Sequence, residues 1–317
     1  MKLFLFIIFW MFVPTITQDG IKIGEILLNN QKIKIMKMNF NNPAWLQSAS
    51  SISSKVPETR FVFVEGENQV QLSANGDVTI ESMQGGEIVR ETYIALNNTD
   101  VTINADEGTD VVIYGAVTAI KSNGNIFASL DLSKSVSLTE LYCTGCTDLT
   151  SLDLSKNAAL TYLNCVSCWS LLNLDLSNNI ALTELDCSGC IDLTSLDLSK
   201  NAALTGLYCG GCTGLTSLDL SKNAALTYLD CSDCQNLLML NIKNTAVLNR
   251  GTILDQSMAT LTTLQVAGTS AWAYEQVESW LRDYAPDNGT IYVDENTPQG
   301  VITEAQGKSW TIEYVNQ

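Results

Sequence analysis

The chain has 317 residues, of which 46% are hydrophobic and 16% charged, a composition that fits a folded protein and not a disordered one. Its 34 acidic and 17 basic residues leave a net charge of −17, the wrong sign for neutralising phosphates, which argues against a nucleic-acid partner. There is no histidine, which excludes Ser-His-Asp and Cys-His catalysis, histidine-ligated metals and histidine pH switches.

Met1 and Lys2 open the chain, and residues 3–13 (LFLFIIFWMFV) are an unbroken apolar run that ends at Pro14 and a short polar stretch. This is the layout of a secretory signal over residues 1–17, with cleavage expected after Thr17. The run is shorter than the about 20 residues that cross a bilayer, and an uncleaved N-terminal anchor is the competing reading. Residues 18–56 carry Lys32, Lys34 and Lys37 and a serine-rich stretch at 48–54, and read as a linker or poorly ordered lead. Residues 57–126 contain short alternating strands around Phe61, Val70, Val78, Val101 and Val111, separated by turn residues such as Asn75-Gly76-Asp77. They predict a β-rich N-terminal cap.

From residue 127 the chain repeats. Units of 22 residues start at Phe127, Leu149, Leu171, Leu193, Leu215 and Leu237 without insertion. The units nest two halves of 11 residues, LxxLxLSxN, as in Leu149, Leu152, Leu154 and Asn157, then LxxLxCxxC, as in Leu160, Leu163, Cys165 and Cys168; the sixth keeps Leu240, Ile242 and Leu248 but has lost both cysteines. The alternation LxL or LxC is the period of a strand with one buried face. One coil cannot bury its own leucines, but stacked coils about 4.8 Å apart bury each column against the next. Asn157, Asn179, Asn201 and Asn223 recur where the chain turns inward, and their amides are suited to satisfy buried backbone groups of the turns. The two halves are nearly equivalent, which predicts strands on both sides and a straight, flattened solenoid over residues 127–258.

All ten cysteines fall in five CxxC pairs in this register: Cys143/Cys146, Cys165/Cys168, Cys187/Cys190, Cys209/Cys212 and Cys231/Cys234. Elsewhere such pairs would signal zinc. Here the first cysteine takes the leucine column and the second the asparagine column, so a structural ladder of buried thiols is predicted, with no metal and no cofactor. Disulfides between coils and a closed metal site remain as alternatives; parallel Cβ vectors suit the first poorly, and the second needs four converging sulfurs. Beyond the repeat, Leu261, Leu264 and Val266 read as a degenerate strand, and residues 273–284 as a helix, with Val277, Trp280, Leu281 and Tyr284 at helical spacing. Strands at 291–293 and 310–315 complete a small α+β C-terminal cap over 259–317.

The pattern LxxLxLxxN/C is a leucine-rich-repeat pattern, and the nested form LxxLxLSxNxxLxxLxCxxC, which runs through residues 127–248, resembles the repeats of secreted and surface bacterial leucine-rich-repeat proteins. The resemblance implies a mostly β solenoid of about six coils with parallel strands on both sides. It also implies a non-enzymatic secreted or cell-surface protein that recognises a protein or glycan ligand through a flat solenoid face. Candidate binding residues lie on the outside of the coils. One side carries Asp131, Asp153, Asp175, Asp197 and Asp219 in a column, which reads as a cation-attracting face or as a solvated column copied with the repeat. The other side carries Tyr142, Tyr162, Tyr208 and Tyr228 among small polar and acidic residues, and tyrosine is a typical interface anchor. The competing reading is a structural scaffold, or a metal- or redox-holding cysteine ladder without a specific partner. No nucleophile–base pair or phosphate-binding glycine loop stands out, so no enzyme is expected.

Overall fold

The computed structural model describes residues 58–315, apart from 64–66, 94–95, 98, 105–107, 125–126 and 247–253. The predicted signal and the lead at 18–56 lie outside the described residues. The N-terminal region forms seven strands: β1 (Glu58–Phe63), β2 (Glu67–Ala74), β3 (Val78–Gln84), β4 (Glu87–Tyr93), β5 (Thr99–Asn104), β6 (Asp110–Tyr114) and β7 (Val117–Asn123). In β3 the alternation buries Val78, Ile80 and Ser82, the signature of a strand with one face on a core.

These strands are joined to the repeat through backbone pairing on both of its sides. One sheet runs β4-β3-β6-β1-β8, where β8 (Phe127–Asp131) belongs to the first repeat unit and pairs antiparallel with β1. The other runs from β5 through β2 to β7, which pairs parallel with β9 (Glu140–Thr144) and so opens a long ladder. Each N-terminal edge of the stack is therefore covered by a strand, which removes a template for aggregation. The buried side chains form one cluster running from Phe61 to Trp310, with Phe61 and Phe127 in ring contact at 5.1 Å where cap and coil meet.

The register of β7 on β9 sets Ile120 opposite Leu141 and Ser122 opposite Cys143. A coil of the stack thus precedes residue 127. Its spacing of 21 residues and its serine in the cysteine column hide it from a search for the 22-residue unit.

Beyond β9 the ladder continues through β10 (Tyr162–Asn164), β11 (Glu184–Asp186), β12 (Gly206–Tyr208) and β14 (Tyr228–Asp230), all parallel and offset by one 22-residue unit. Its spine is a column of threonines. The backbone N–H and the hydroxyl of Thr161 both donate to Thr139 O, at 2.8 and 3.0 Å, and the same doubled bond recurs at Thr183, Thr205 and Thr227.

Parallel strands occur on the other side as well, in the sheet β13-β15-β16-β17-β18: β13 (Ser217–Asp219), β15 (Met239–Asn241), β16 (Thr263–Gln265), β17 (Thr290–Val293) and β18 (Thr311–Tyr314). The two halves of the repeat are nevertheless unequal. Residues 151–154, 173–176 and 195–198 bury their leucines but form no strand, and the N–H groups of Leu172 and Asp192 reach the preceding coil only at 3.4 and 3.3 Å. The turns of the two halves differ as well. In the CxxC turn the residue before the second cysteine has positive φ, at Gly145, Ser167, Gly189, Gly211 and Asp233. That conformation aims the N–H of Gly145, Ser167, Gly189 and Gly211 at a carbonyl of the next coil, at 2.7–2.8 Å. At the corresponding place of the LSxN turn, Lys156, Asn178, Lys200 and Lys222 have no positive φ. One side is stitched coil to coil throughout; the other becomes a sheet only from Ser217 onward.

That second sheet crosses residue 258 without interruption, with Leu240, Leu264, Ile291 and Ile312 in consecutive register. In the last coils helices replace the CxxC half. The helix predicted over 273–284 is α1 (Ala271–Asp283), capped by the Ser270 hydroxyl, which accepts from the Ala273 N–H at 3.2 Å. A second helix, α2 (Gln299–Gly307), was not foreseen; it buries Val301, Ile302 and Ala305. Trp280 and Trp310 meet edge to face at 5.7 Å, and their indole N–H groups donate to Asp255 O and Pro286 O.

Candidate functional site

The interior columns tie each coil to the one before it. Asn179 Nδ2 donates to Leu154 O at 3.1 Å and to Asn157 O at 2.9 Å, binding each turn to the coil before it. Asn157, Asn201 and Asn223 repeat the pattern. The second cysteine of each pair does a similar task in the other half. The thiols of Cys168, Cys190, Cys212 and Cys234 donate to the carbonyls of Cys143, Cys165, Cys187 and Cys209, 25 residues earlier, at 3.0–3.3 Å. Cys146 reaches Gly124 O of the extra first coil. All ten cysteines are buried free thiols. Hydrogen bonding to the second cysteine of the next coil, together with burial, pushes the thiols of Cys143, Cys165, Cys187 and Cys209 up; burial does the same to Cys231. Their protons stay on sulfur, and among the described residues no group of three or more His, Cys, Asp or Glu side chains is arranged to hold a metal ion.

The candidate surface residues separate onto two faces. Asp131, Asp153, Asp175, Asp197 and Asp219 stand exposed, and the Oδ1 of each accepts the N–H of the serine two residues on, at 2.9 Å. This is an Asx turn. Hydrogen bonds from that serine hold the carboxyls of Asp131, Asp153, Asp175 and Asp197 below the usual range. Each aspartate of this column therefore serves its own turn.

The tyrosines lie on the stitched side. Tyr142 and Tyr162 stack with centroids 4.7 Å apart, and Tyr208 and Tyr228 at 4.4 Å. Each pair is diagonal across adjacent strands, since the direct neighbours are Glu140 with Tyr162 and Gly206 with Tyr228. Burial, together with Tyr162 and Glu140 beside it, pushes Tyr142 up to about 12. Burial and the neighbouring Tyr228 and Glu184 push Tyr208 up as well.

Between the pairs lies the coil of Glu184 and Asp186. Lys121 completes the N-terminal pair: its ammonium sits 4.8 Å from the Tyr142 ring centroid and 2.8 Å from Glu140 Oε2. Sequence reasoning missed it because Lys121 belongs to the coil hidden by the 21-residue spacing. On the turns, Trp169, Leu172 and Ile191 are about half exposed.

No family model matches the chain, and no curated protein matches it. Among solved structures it is similar to the functional domain of InlJ from Listeria monocytogenes, which includes a cysteine ladder: 35% identity over 44% of this chain and 32% of that one, with a TM-score of 0.30. It is also similar to the internalin InlF from Listeria monocytogenes, at 14% identity over 63% of this chain and 82% of that one, with a TM-score of 0.30. The chain spans about a third of the InlJ domain. Its own geometry settles the repeat class: with 22-residue register, parallel ladders, and buried leucine, asparagine and cysteine columns, the chain is a leucine-rich-repeat protein.

Proposed function

We propose that this is an exported, non-enzymatic recognition protein that binds a protein or glycan ligand at the cell exterior through the tyrosine side of its ladder. The observation that carries the reading is the pair of tyrosine stacks on the solvent side of a continuously hydrogen-bonded sheet. Rings held by stacking and a fixed backbone lose little side-chain entropy on binding, which makes them good anchors. The aspartate column is the weaker candidate, because among the described residues the stacked tyrosine pairs all lie on the other side.

Size sets the mode of binding. The outward faces of five or six short strands span about 25–30 Å, and a specific interface takes roughly 800 Å² from each partner. A tight partner must therefore also use the turns, where Trp169, Leu172 and Ile191 are exposed. The alternative reading, a scaffold or a metal- or redox-holding ladder, has less support because the thiol protons are committed to backbone carbonyls.

The test is capture from panels of immobilised extracellular proteins and glycans by the exported protein. It is run beside a variant with Tyr142, Tyr162, Tyr208 and Tyr228 all changed to Ser. Binding by the parent that the variant loses supports the tyrosine face; equal binding by both removes it. Stoichiometric zinc or iron in the purified protein would favour the alternative.

A further inference from the structure

The two tyrosine stacks are copies of one arrangement, three coils apart, and they differ in their cation. In the first, Lys121 stands opposite Tyr142 in the ladder and Glu140 opposite Tyr162. The ammonium lies over the Tyr142 ring and is held by the Glu140 carboxylate. In the second, the same register puts Asp186 opposite Tyr208 and Gly206 opposite Tyr228. A carboxylate thus takes the place of the lysine, and a glycine the place of the glutamate.

The second stack is therefore an aromatic platform with an acidic margin and no cation of its own. Glu184 is exposed, and Asp186 accepts from the Ser188 N–H and hydroxyl, both on Oδ1. Among the described residues no Lys or Arg forms a salt bridge with either carboxylate. The lysines of these coils, Lys200 and Lys222, belong to the turns of the aspartate side, where Lys200 lies close enough to Asp197 to lower its carboxyl. Tyr208 feels both Glu184 and Asp186, so the negative potential extends over its ring.

We propose that the Tyr208–Tyr228 stack, with Glu184 and Asp186 beside it, seats a lysine or arginine side chain from a basic segment of a partner protein. The intramolecular Lys121 contact is the template for that docking: ring face on one side, carboxylate on the other. This deepens the reading of the tyrosine side as the recognition face and rests on it. The chain's charge of −17 acts in the same direction, since it steers a basic segment inward from a distance.

The experiment measures fluorescence anisotropy of a labelled octapeptide of alternating glycine and arginine, with a citrulline twin as the uncharged control. The exported protein should bind the arginine peptide and not the twin. Tyr208→Ser should weaken binding about two- to five-fold, the range of an exposed cation–π contact, while Tyr208→Phe keeps the ring and most of the affinity. Glu184→Gln with Asp186→Asn should weaken it at least as much. The second change leaves the turn intact, because Asn164 already fills that role by accepting the Val166 N–H. Asp153→Asn with Asp175→Asn removes equal charge from the other face and should change affinity less than two-fold. Circular dichroism melts check that each variant is folded.

Equal binding by the parent and Tyr208→Ser, or an equal loss with the aspartate-face variant, would overturn the proposal. The two readings can fail separately. If Tyr142→Ser with Tyr162→Ser abolishes capture in the panel assay while the Tyr208 variants do not, the recognition face stands and the cation seat falls. If the panel ligand ignores all four tyrosines, the face itself falls.

Discussion

Replacing Asn201 in the middle of the stack tests the internal columns directly. Its amide donates two hydrogen bonds, to Leu176 O at 3.2 Å and Asn179 O at 2.9 Å. Both carbonyls keep a main-chain donor, from Asn179 N–H and Leu182 N–H, so Asn201→Ala orphans neither of them. Losing two buried hydrogen bonds costs about 2 kcal/mol, and the void left by the amide about 1 kcal/mol more. The Asn201 Oδ1 has no hydrogen-bond partner among the described residues, and removing it returns about 1 kcal/mol. The net expectation for Asn201→Ala is a loss of about 2 kcal/mol. Asn201→Cys should cost about half of that, because the cysteine half shows that one S–H donor can hold a turn at the corresponding place. Asn201→Asp should be the worst of the three at neutral pH, at about 4 kcal/mol, since it points a buried carboxylate at two carbonyl oxygens. Burial would raise the folded pKa of that carboxyl. The Asp variant should therefore be most stable below the unfolded value of about 3.9 and lose stability as pH rises through the folded one. Urea unfolding followed by circular dichroism, compared at equal slope, gives the order Cys, Ala, Asp from mildest to most severe. If the three variants unfold together, or if Asp matches Ala at pH 7, the asparagines do not hold the coils by donating, and the account of the columns fails.

The cysteines supply a second prediction: Ellman's reagent should find all ten thiols after denaturation and almost none in the native protein, and fewer than ten on denaturation would mean disulfides. Because the folded pKa values of Cys143, Cys165, Cys187, Cys209 and Cys231 are raised, stability should hold below the unfolded thiol value of about 9 and fall as pH climbs above it toward the folded values. An alkaline urea series that stays flat to pH 11 would contradict this. On the acid side, the serine-held carboxyls of Asp153 and Asp197 should titrate below the usual value of about 3.9, so the stability they contribute is present above it and lost as pH falls through their folded values. Carboxyl-carbon NMR titration measures the midpoints, and ordinary values would refute the turn assignment. Gly211→Ala should cost about 1–2 kcal/mol in urea unfolding from backbone strain alone, since φ is +73° and the added Cβ meets only the Gly189 backbone at 3.7 Å; no loss would mean that the turn relaxes out of the left-handed region.

What could be read from the sequence follows from where the copies agree. The leucine, asparagine and cysteine columns recur through the central units because stacking favours the same side chain at the same buried place, so the fold of the central coils was legible. The ends were less so. The coil holding Ile120 and Ser122 is one residue short and carries serine where cysteine is expected. The coils of Leu264, Ile291 and Ile312 keep the ladder but close it with α1 and α2, so their repeat signal survives only as single strands. The inequality of the two sides was hidden for another reason: it goes with the positive φ of the residue before each second cysteine, which glycine reveals at 145, 189 and 211 but Ser167 and Asp233 do not.

The surface obeys the opposite rule. On one side the outward residue is aspartate five times over, and each carboxylate accepts the N–H of the serine two residues on. On the other side the outward columns read Glu140, Tyr162, Glu184, Gly206, Tyr228 and Tyr142, Asn164, Asp186, Tyr208, Asp230, all different in neighbouring coils although the backbone beneath is the same. A repeat copied for stability alone has no reason to differ there while staying identical at its aspartates. Variation on a constant frame is what a binding surface needs, and here it has produced two stacks with the same rings and opposite charge at the place of Lys121.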